Sequence, residues 1–460
     1  VNELATQTEH VHFIGIGGYG MSAIARVLVD MGYKVSGSDM ARKELTDKLV
    51  SRGAQVYIGH EAKNVLGAQV VVYSTDIPRD NVELVEAKNQ NIPLIHRSEM
   101  LARILNERSG IAVSGAHGKT TTSSMISLVM EKAGADPTYI IGGEIVDIGS
   151  NARAGKGPFV VAEADESDGS FLKYHPEIAV VTNIEPDHLE NYEGDFENLK
   201  KAYREFLSNV KEDGTAVVCA DDEYIADMLP GVRCNYITYG LEKPADYTAE
   251  NVVYGDRTVS FSVKKGEEPL GQVKLTVPGR HNVLNALATI IVCLQAGIGF
   301  PAIAEAIKSF RGAKRRFQVI GEAQDVLVVD DYAHHPTEIE ATIQAAKSTN
   351  RRILAVFQPQ RYTRTFFLLD AFSRAFSEAD QVIIADIYSP ANDTKMEVTA
   401  QALVDLIKQN SNENTVYMPT KEDVFEHLMQ VVKPGDLVIT MGAGDIWKVA
   451  DRLAEALENK

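Results

Sequence analysis

Twice in this chain an apolar run stops at a glycine and a helix starts at once. "VHFIGIGGYGMSAIARVLVDMG" (residues 11–32) and "GIAVSGAHGKTTTSSMISLVMEKAG" (residues 110–134) both read as buried strand, bare loop and helix. In the first helix Met21, Ile24, Ala25, Leu28 and Val29 share one face; in the second Met125, Ile126, Val129 and Ala133 do. A strand that feeds a helix through a tight glycine turn belongs to an open parallel α/β sheet. The backbone N–H groups of such a turn converge at the helix N-terminus, where they favour an anion. The chain therefore carries two phosphate cradles.

The two cradles differ in kind. Gly15, Gly17 and Gly20 give the G-x-G-x-x-G spacing, and Asp39 ends the next strand, where an acidic group often meets a ribose. On these residues alone the loop fits a nicotinamide dinucleotide, any other diphosphate nucleotide, or a merely tight turn. The second loop is short. Gly115 and Gly118 enclose only Ala116 and His117, where the common triphosphate loop keeps four residues. Lys119 and Thr120 still stand where a lysine meets the β- and γ-phosphates and a hydroxyl meets Mg²⁺. Glu163, Asp165 and Glu166 follow a further apolar strand and supply carboxylates for such an ion, unless they form a solvated acidic loop.

Other strand ends carry polar groups with two readings each. Asp187 and His188 end another strand, and the His188 imidazole could take a second metal ion, although a lone histidine is more often structural. His281, Asn282 and Asn285 sit at a helix start, where they cap it or meet a base. Arg361 and Arg364 make a fork for a carboxylate or phosphate, near "RRF" (315–317) and "DDYAHHPTE" (330–338).

The strand–helix alternation falls into three blocks, with breaks near 105–110 and 312, so the expected domains are 1–104, 105–312 and 313–460. Short alternating segments between 246 and 277 suggest an antiparallel patch inside the middle block. A net charge of -18 argues against nucleic acid or an anionic membrane as a partner. Cys219, Cys234 and Cys293 have no paired metal spacing and fit buried thiols in a reducing compartment. The first ten residues lack a basic region followed by an apolar run, and no stretch approaches the ~20 apolar residues of a membrane helix. A cytoplasmic protein is expected.

Taken in chain order, "HFIGIGGYGMS", "GAHGKTTT", "EADESDGSFL", "NIEPDHLENY", "PGRHNVLNA", "RRF", "DDYAHHPTE" and "QPQRYTRT" resemble the motif set of the Mur ligases. These are ATP-dependent amide-forming enzymes of bacterial cell-wall precursor synthesis, and the resemblance covers nearly the whole chain. It implies a Rossmann-like N-terminal domain for a UDP sugar, a P-loop-type central ATPase domain, and a Rossmann-like C-terminal domain that closes over the nucleotide with the amino acid. The implied substrates are ATP, UDP-N-acetylmuramate and L-alanine, with two Mg²⁺ ions, acting in a monomer or weak homodimer.

By the same resemblance the first cradle holds a uridine diphosphate. Its residues are Gly15, Gly17, Gly18, Gly20, Met21 and Ser22, with Asp39, His60 and Ser74 beside them. ATP falls to Gly115, Ala116, His117, Gly118, Lys119, Thr120 and Thr121. His281, Asn282 and Asn285 would lie near the adenine, and Arg316 would reach the phosphates. Lys119, Glu163 and His188 are the implied catalytic set, with Thr120 and Glu163 on one Mg²⁺ and His188 on the other. Tyr332, His334, Arg361 and Arg364 resemble the alanine-side residues. Sister ligases carry a carbamylated lysine; Tyr203 falls at that position, near Lys200 and Lys201, which implies no carbamate here. The residues alone leave open an oxidoreductase, a non-enzymatic nucleotide switch, and a ligase for a ready-made peptide or glutamate.

Overall fold

The computed structural model of the chain describes residues 9–390 and 393–459; residues 1–8, on which the signal-peptide expectation partly rests, lie outside them. Three sheets organise the α/β chain. By packing it divides into two compact units, one of residues 1–250, 263–271 and 284–307, the other of 251–262, 272–283 and 308–460.

The first unit begins with a five-stranded parallel sheet, ordered Gln55–Ile58, Lys34–Asp39, His10–Ile14, Val70–Tyr73, Leu94–His96. Every residue of His10–Ile14 is buried, as expected for a central parallel strand covered on both faces. The chain starts in the middle of this sheet, runs to one edge and returns to the other side. The direction therefore reverses between His10–Ile14 and Val70–Tyr73. Ligands of open α/β sheets sit outside the carboxyl ends of the strands at such a reversal.

In the second sheet Ser109–Ser114 pairs in parallel with Phe159–Glu163 on one side and with Ile178–Val181 on the other. The helix Lys119–Lys132 follows the first of these strands after only four loop residues. Residues at the ends of both neighbours therefore flank that loop. The strands Tyr247–Gly255, Thr258–Lys265 and Glu268–Leu275 stand side by side at the sheet's edge. They are joined by two-residue turns, which only antiparallel neighbours can use, so the patch expected between 246 and 277 is present.

The second unit holds a six-stranded sheet, ordered Gln318–Ala323, Val326–Asp331, Asp436–Met441, Arg352–Phe357, Gln381–Ile384, Thr415–Tyr417. Its first strand is antiparallel to the second, and the remaining pairs are parallel. Ile339, Ile343, Phe372, Phe376, Leu403 and Ile407 cover one face, while Val424, Leu428, Val449 and Leu453 cover the other. Each fully buried side chain of that size contributes roughly 1.5–3 kcal/mol. Pro336 opens the helix Pro336–Lys347 at a position where its missing N–H costs nothing, and Glu338 closes a capping box on His335.

Candidate active site

The first cradle lies at the reversal point of the five-stranded sheet. A cleft of about 500 Å³ there is lined by Gly15, Gly18, Gly20, Met21, Asp39, His60 and Ser74. Two expected residues serve it indirectly. Gly17 donates its N–H to Asp39 Oδ2 at 2.9 Å, and Ser22 turns its hydroxyl onto the Tyr19 carbonyl at 2.9 Å. A Cβ on Gly17 would meet Asp39 Oδ2 at 2.7 Å, which is why the loop is bare at that point. Asp39 thus braces the loop, and Lys43 Nζ sits 3.1 Å from its other oxygen. Sequence reasoning missed Tyr19, Lys43, Asp76 and Arg97 on the same walls. The basic pair suits a diphosphate, but neither residue belongs to a local motif.

The second cradle is built by contacts across the sheet. Gly115 has φ +138 and Gly118 φ +84, both in the region that L side chains avoid. A Cβ on Gly115 would stand 2.0 Å from Thr182 Oγ1, and one on Gly118 would stand 2.7 Å from Asn285 Oδ1. Asn183, at the end of the neighbouring strand, clamps the loop from both sides. Its side chain accepts from His117 N at 2.8 Å and donates to the His117 carbonyl at 3.0 Å, while its own carbonyl accepts from Ala116 N at 3.1 Å. Asn285 accepts from Thr122 Oγ1 at 3.2 Å, so it supports the phosphate loop. Asn282, in the first turn of the helix Arg280–Gln295, ties that turn to the preceding segment by donating to the Pro278 carbonyl at 2.6 Å.

Lys119 is folded back on this loop. Its ammonium donates to the carbonyls of Gly115 and Ala116 and to Glu166 Oε1, the last at 2.9 Å. Burial works against its charge, yet Glu166, Asp165 and Glu163 outweigh that and hold the lysine above its ordinary pKa. Glu163 accepts from Gly142 N at 2.7 Å and from Ser123 Oγ at 3.4 Å, one turn along the helix from Thr120. His188 is in a left-handed conformation with φ +55, and its Nε2 lies 3.4 Å from Asp187 Oδ2. Tyr203 is buried against Phe171, with ring centroids 5.3 Å apart. Lys200 pairs with Glu197, and Lys201 donates to Asn198.

In the second unit, polar groups collect at strand ends. Asp331 accepts from Phe317 N and Ala333 N, both at 2.7 Å, and so fixes the "RRF" turn. Arg315 and Phe317 in that turn have positive φ. The guanidiniums of Arg315 and Arg316 lie 5.0 and 5.4 Å from the Tyr332 ring, and His334 meets the same ring edge-on. Arg364 donates to Gln360 Oε1 at 3.1 Å. Arg361 has φ +69 and ψ +131, a strained backbone for arginine, in a segment tied to Tyr388.

Burial lowers the His334 pKa to about 4; Glu338 resists, and Arg364 and Arg316 add to the fall. A histidine depressed in the folded state adds stability that is complete above its unfolded pKa of ~6.5. That stability is lost as pH drops towards 4. Asp331, pushed up to about 6 chiefly by burial, works in the opposite direction. The difference between wild type and His334→Gln isolates the histidine. Urea unfolding, followed by the chain's one tryptophan, Trp447, should show a wild-type loss between pH 6.5 and 4.5 that is larger than the variant's. Equal losses would remove the buried-histidine account.

A lysine at the first turn of a helix behind a glycine loop, carboxylates at the next strand end and a second glycine loop beside a cleft are the parts from which nucleotide-binding α/β proteins build their phosphate sites. The description "Mur ligase family, catalytic domain" matches residues 10–109, "Mur ligase middle domain" matches 113–293, and "Mur ligase, glutamate ligase domain" matches 315–444. The UDP-N-acetylmuramate–L-alanine ligase of Geotalea uraniireducens (strain Rf4) is 49% identical over 452 residues, 98% of each chain. That of Pelotomaculum thermopropionicum is 48% identical over 451 residues, again 98% of each chain. The crystal structure of the UDP-N-acetylmuramate–alanine ligase of Thermotoga maritima superposes with a TM-score of 0.81 at 30% identity, covering 98% of this chain and 99% of that one. The chain belongs to the Mur ligase family.

Proposed function

We infer that this chain joins L-alanine to the lactyl carboxylate of UDP-N-acetylmuramate at the expense of ATP, in peptidoglycan precursor synthesis. The observation that carries the reading is near-half identity, over nearly the full length, to ligases named for that reaction, with both phosphate loops intact. The nicotinamide reading gives no role to the second loop and its carboxylates, and a non-enzymatic nucleotide switch is separated by ADP release that requires both UDP sugar and amino acid. The proposed division of labour follows the blocks 1–104, 105–312 and 313–460: UDP sugar, ATP and amino acid.

The reaction must bring one anion onto another, because a carboxylate attacks the γ-phosphate. Lys119 neutralises part of that charge on leaving its loop carbonyls and Glu166. The Thr120 hydroxyl and the Glu163 carboxylate are hard oxygen donors that fit Mg²⁺, and His188 beside Asp187 offers a nitrogen for a second ion. Bound there, the ions would supply the rest of the charge neutralisation. The carboxylate oxygen bonds the γ-phosphorus as the bond from that phosphorus to the β–γ bridging oxygen breaks, so ADP leaves and the product of the first step is an acyl phosphate. The neutral amine of alanine attacks its carbonyl carbon, phosphate leaves with the bonding pair, and the amine nitrogen gives up a proton as the amide forms. Water would consume the acyl phosphate, so solvent exclusion is part of the task. The substrates place this work in the cytoplasm.

Phosphate release with UDP-N-acetylmuramate against a panel of amino acids tests the reading. Release that depends on both partners and is fastest with L-alanine is expected; release with neither sinks the ligase assignment. Arg364 and His334 share the amino-acid side of the proposal. Arg364→Ala should raise the alanine KM by about tenfold or more, consistent with loss of a charged hydrogen bond. The ATP KM should stay within about twofold. An unchanged alanine KM would take Arg364 out of that site.

A further inference from the structure

Behind the first cradle lies a hydrogen-bond system of which the motifs contain only His12. Glu83, in the helix Val82–Asn89, is fully buried. Its carboxylate accepts from Ser38 Oγ at 2.6 Å, Asn64 Nδ2 at 2.7 Å and Glu61 N at 3.2 Å, and His12 Nε2 lies 3.2 Å away. Burial alone would raise its pKa, but the bonds from His12, Ser38 and Asn64 hold it below the usual range. It is therefore ionised at neutral pH and can only accept.

That fixes a chain of protons. A serine hydroxyl has one proton, and Ser38 spends it on Glu83. His60 Nδ1 lies 2.9 Å from the same Ser38 oxygen and 3.7 Å from Glu83 Oε2. A bare ring nitrogen would set its lone pair against the hydroxyl oxygen and the carboxylate. An N–H satisfies both. The proton of a neutral His60 therefore sits on Nδ1, and Nε2 carries the lone pair. Among the described residues no protein group bonds Nε2, and His60 lines the cleft with Asp39 and Ser74.

We propose that His60 Nε2 is a hydrogen-bond acceptor for the nucleotide part of the UDP sugar, and that Ser38 and Glu83 are positioning residues that set its tautomer. The proposal rests on the UDP-sugar reading of this cleft. The group accepted is a donor of the ligand, either the uracil imide N–H or a ribose hydroxyl. Either way, the site selects for donors at that point and against an acceptor.

The test uses the full chain labelled with ¹⁵N-histidine, and UDP as the probe. NMR should place the His60 proton on Nδ1 in the wild type. In Glu83→Gln the carboxamide donates to Ser38, whose hydroxyl then turns to His60, and the proton should shift to Nε2. Calorimetry should show the UDP Kd rising about tenfold in Glu83→Gln and in Ser38→Ala, the loss expected for one hydrogen bond. The ATP Kd, unchanged, reports an intact fold; Ser38→Ala carries the test if Glu83→Gln does not fold. N3-methyl-UDP and 2′-deoxy-UDP separate the two donors, because only the analogue that lacks the recognised donor should bind weakly to the wild type. A wild-type proton on Nε2, or an unchanged UDP Kd in both variants, overturns the proposal while leaving the cleft assignment standing. Failure of UDP to bind the wild type would overturn both.

Discussion

Lys119→Ala should lower kcat for amide formation by about a thousandfold or more and leave the UDP Kd within about twofold. Loss of one preorganised electrostatic group at a reacting centre costs about 10²–10³ in rate. Here the cost is greater, because Glu163, Asp165 and Glu166 all act on this lysine. Without the ammonium, a triphosphate and a carboxylate would meet beside three acids. The cleft near Gly15 is lined by other residues, so UDP binding is an internal control for folding. Steady-state phosphate release and UDP calorimetry on the same preparation decide the matter. Turnover within tenfold of wild type would show that the γ-phosphate is not handled at this loop.

Gly115→Ala should be nearly as damaging, for a steric reason. The backbone at Gly115 has φ +138, where a side chain is strained whatever the space, and the added methyl would fall 2.0 Å from Thr182 Oγ1. Thr182 cannot withdraw freely, because its hydroxyl bonds the His117 carbonyl within the same loop. The loop must therefore shift. The expected result is an ATP Kd raised by about a hundredfold, on the order of 3 kcal/mol. UDP affinity should be unchanged. Near-normal ATP affinity in Gly115→Ala would mean that the loop geometry described above is not the nucleotide-binding one.

The parts of this fold that could be read in advance are those written in consecutive residues. Strand, glycine loop and helix follow one another in the chain, so both cradles and all three sheets were visible as patterns. The supporting residues were not, because their partners are distant in sequence. Asn183 grips His117 from 66 residues away, Glu166 pairs with Lys119 across 47, and Glu83 reaches Ser38 across 45. Glu83 stands in a stretch that gives no hint of a polar role, and Asn183, although it opens "NIEPDHLENY", carries no role there that the motif alone assigns. The parallel register, which places strand ends side by side, brings Asn183 to its loop, and the packing of the helix Val82–Asn89 on its sheet brings Glu83 to Ser38. Asn285 shows the same limit from the other side. Its place at a helix start offered a cap or a base contact, and only the structure adds that its side chain also accepts from Thr122 beside Gly118.

The folded-back Lys119 has a consequence for selectivity. With its ammonium satisfied by two carbonyls and Glu166, Lys119 finds its counterion within the protein, and the loop exerts little pull on passing anions. Orthophosphate has few contacts to offer in exchange for that internal partnership. On the proposed assignment a nucleoside triphosphate would span the whole loop and replace each of those contacts. Shortening the chain of phosphates would let the lysine return to its resting companions, so the same swap that admits the fuel would help to discharge what is left of it.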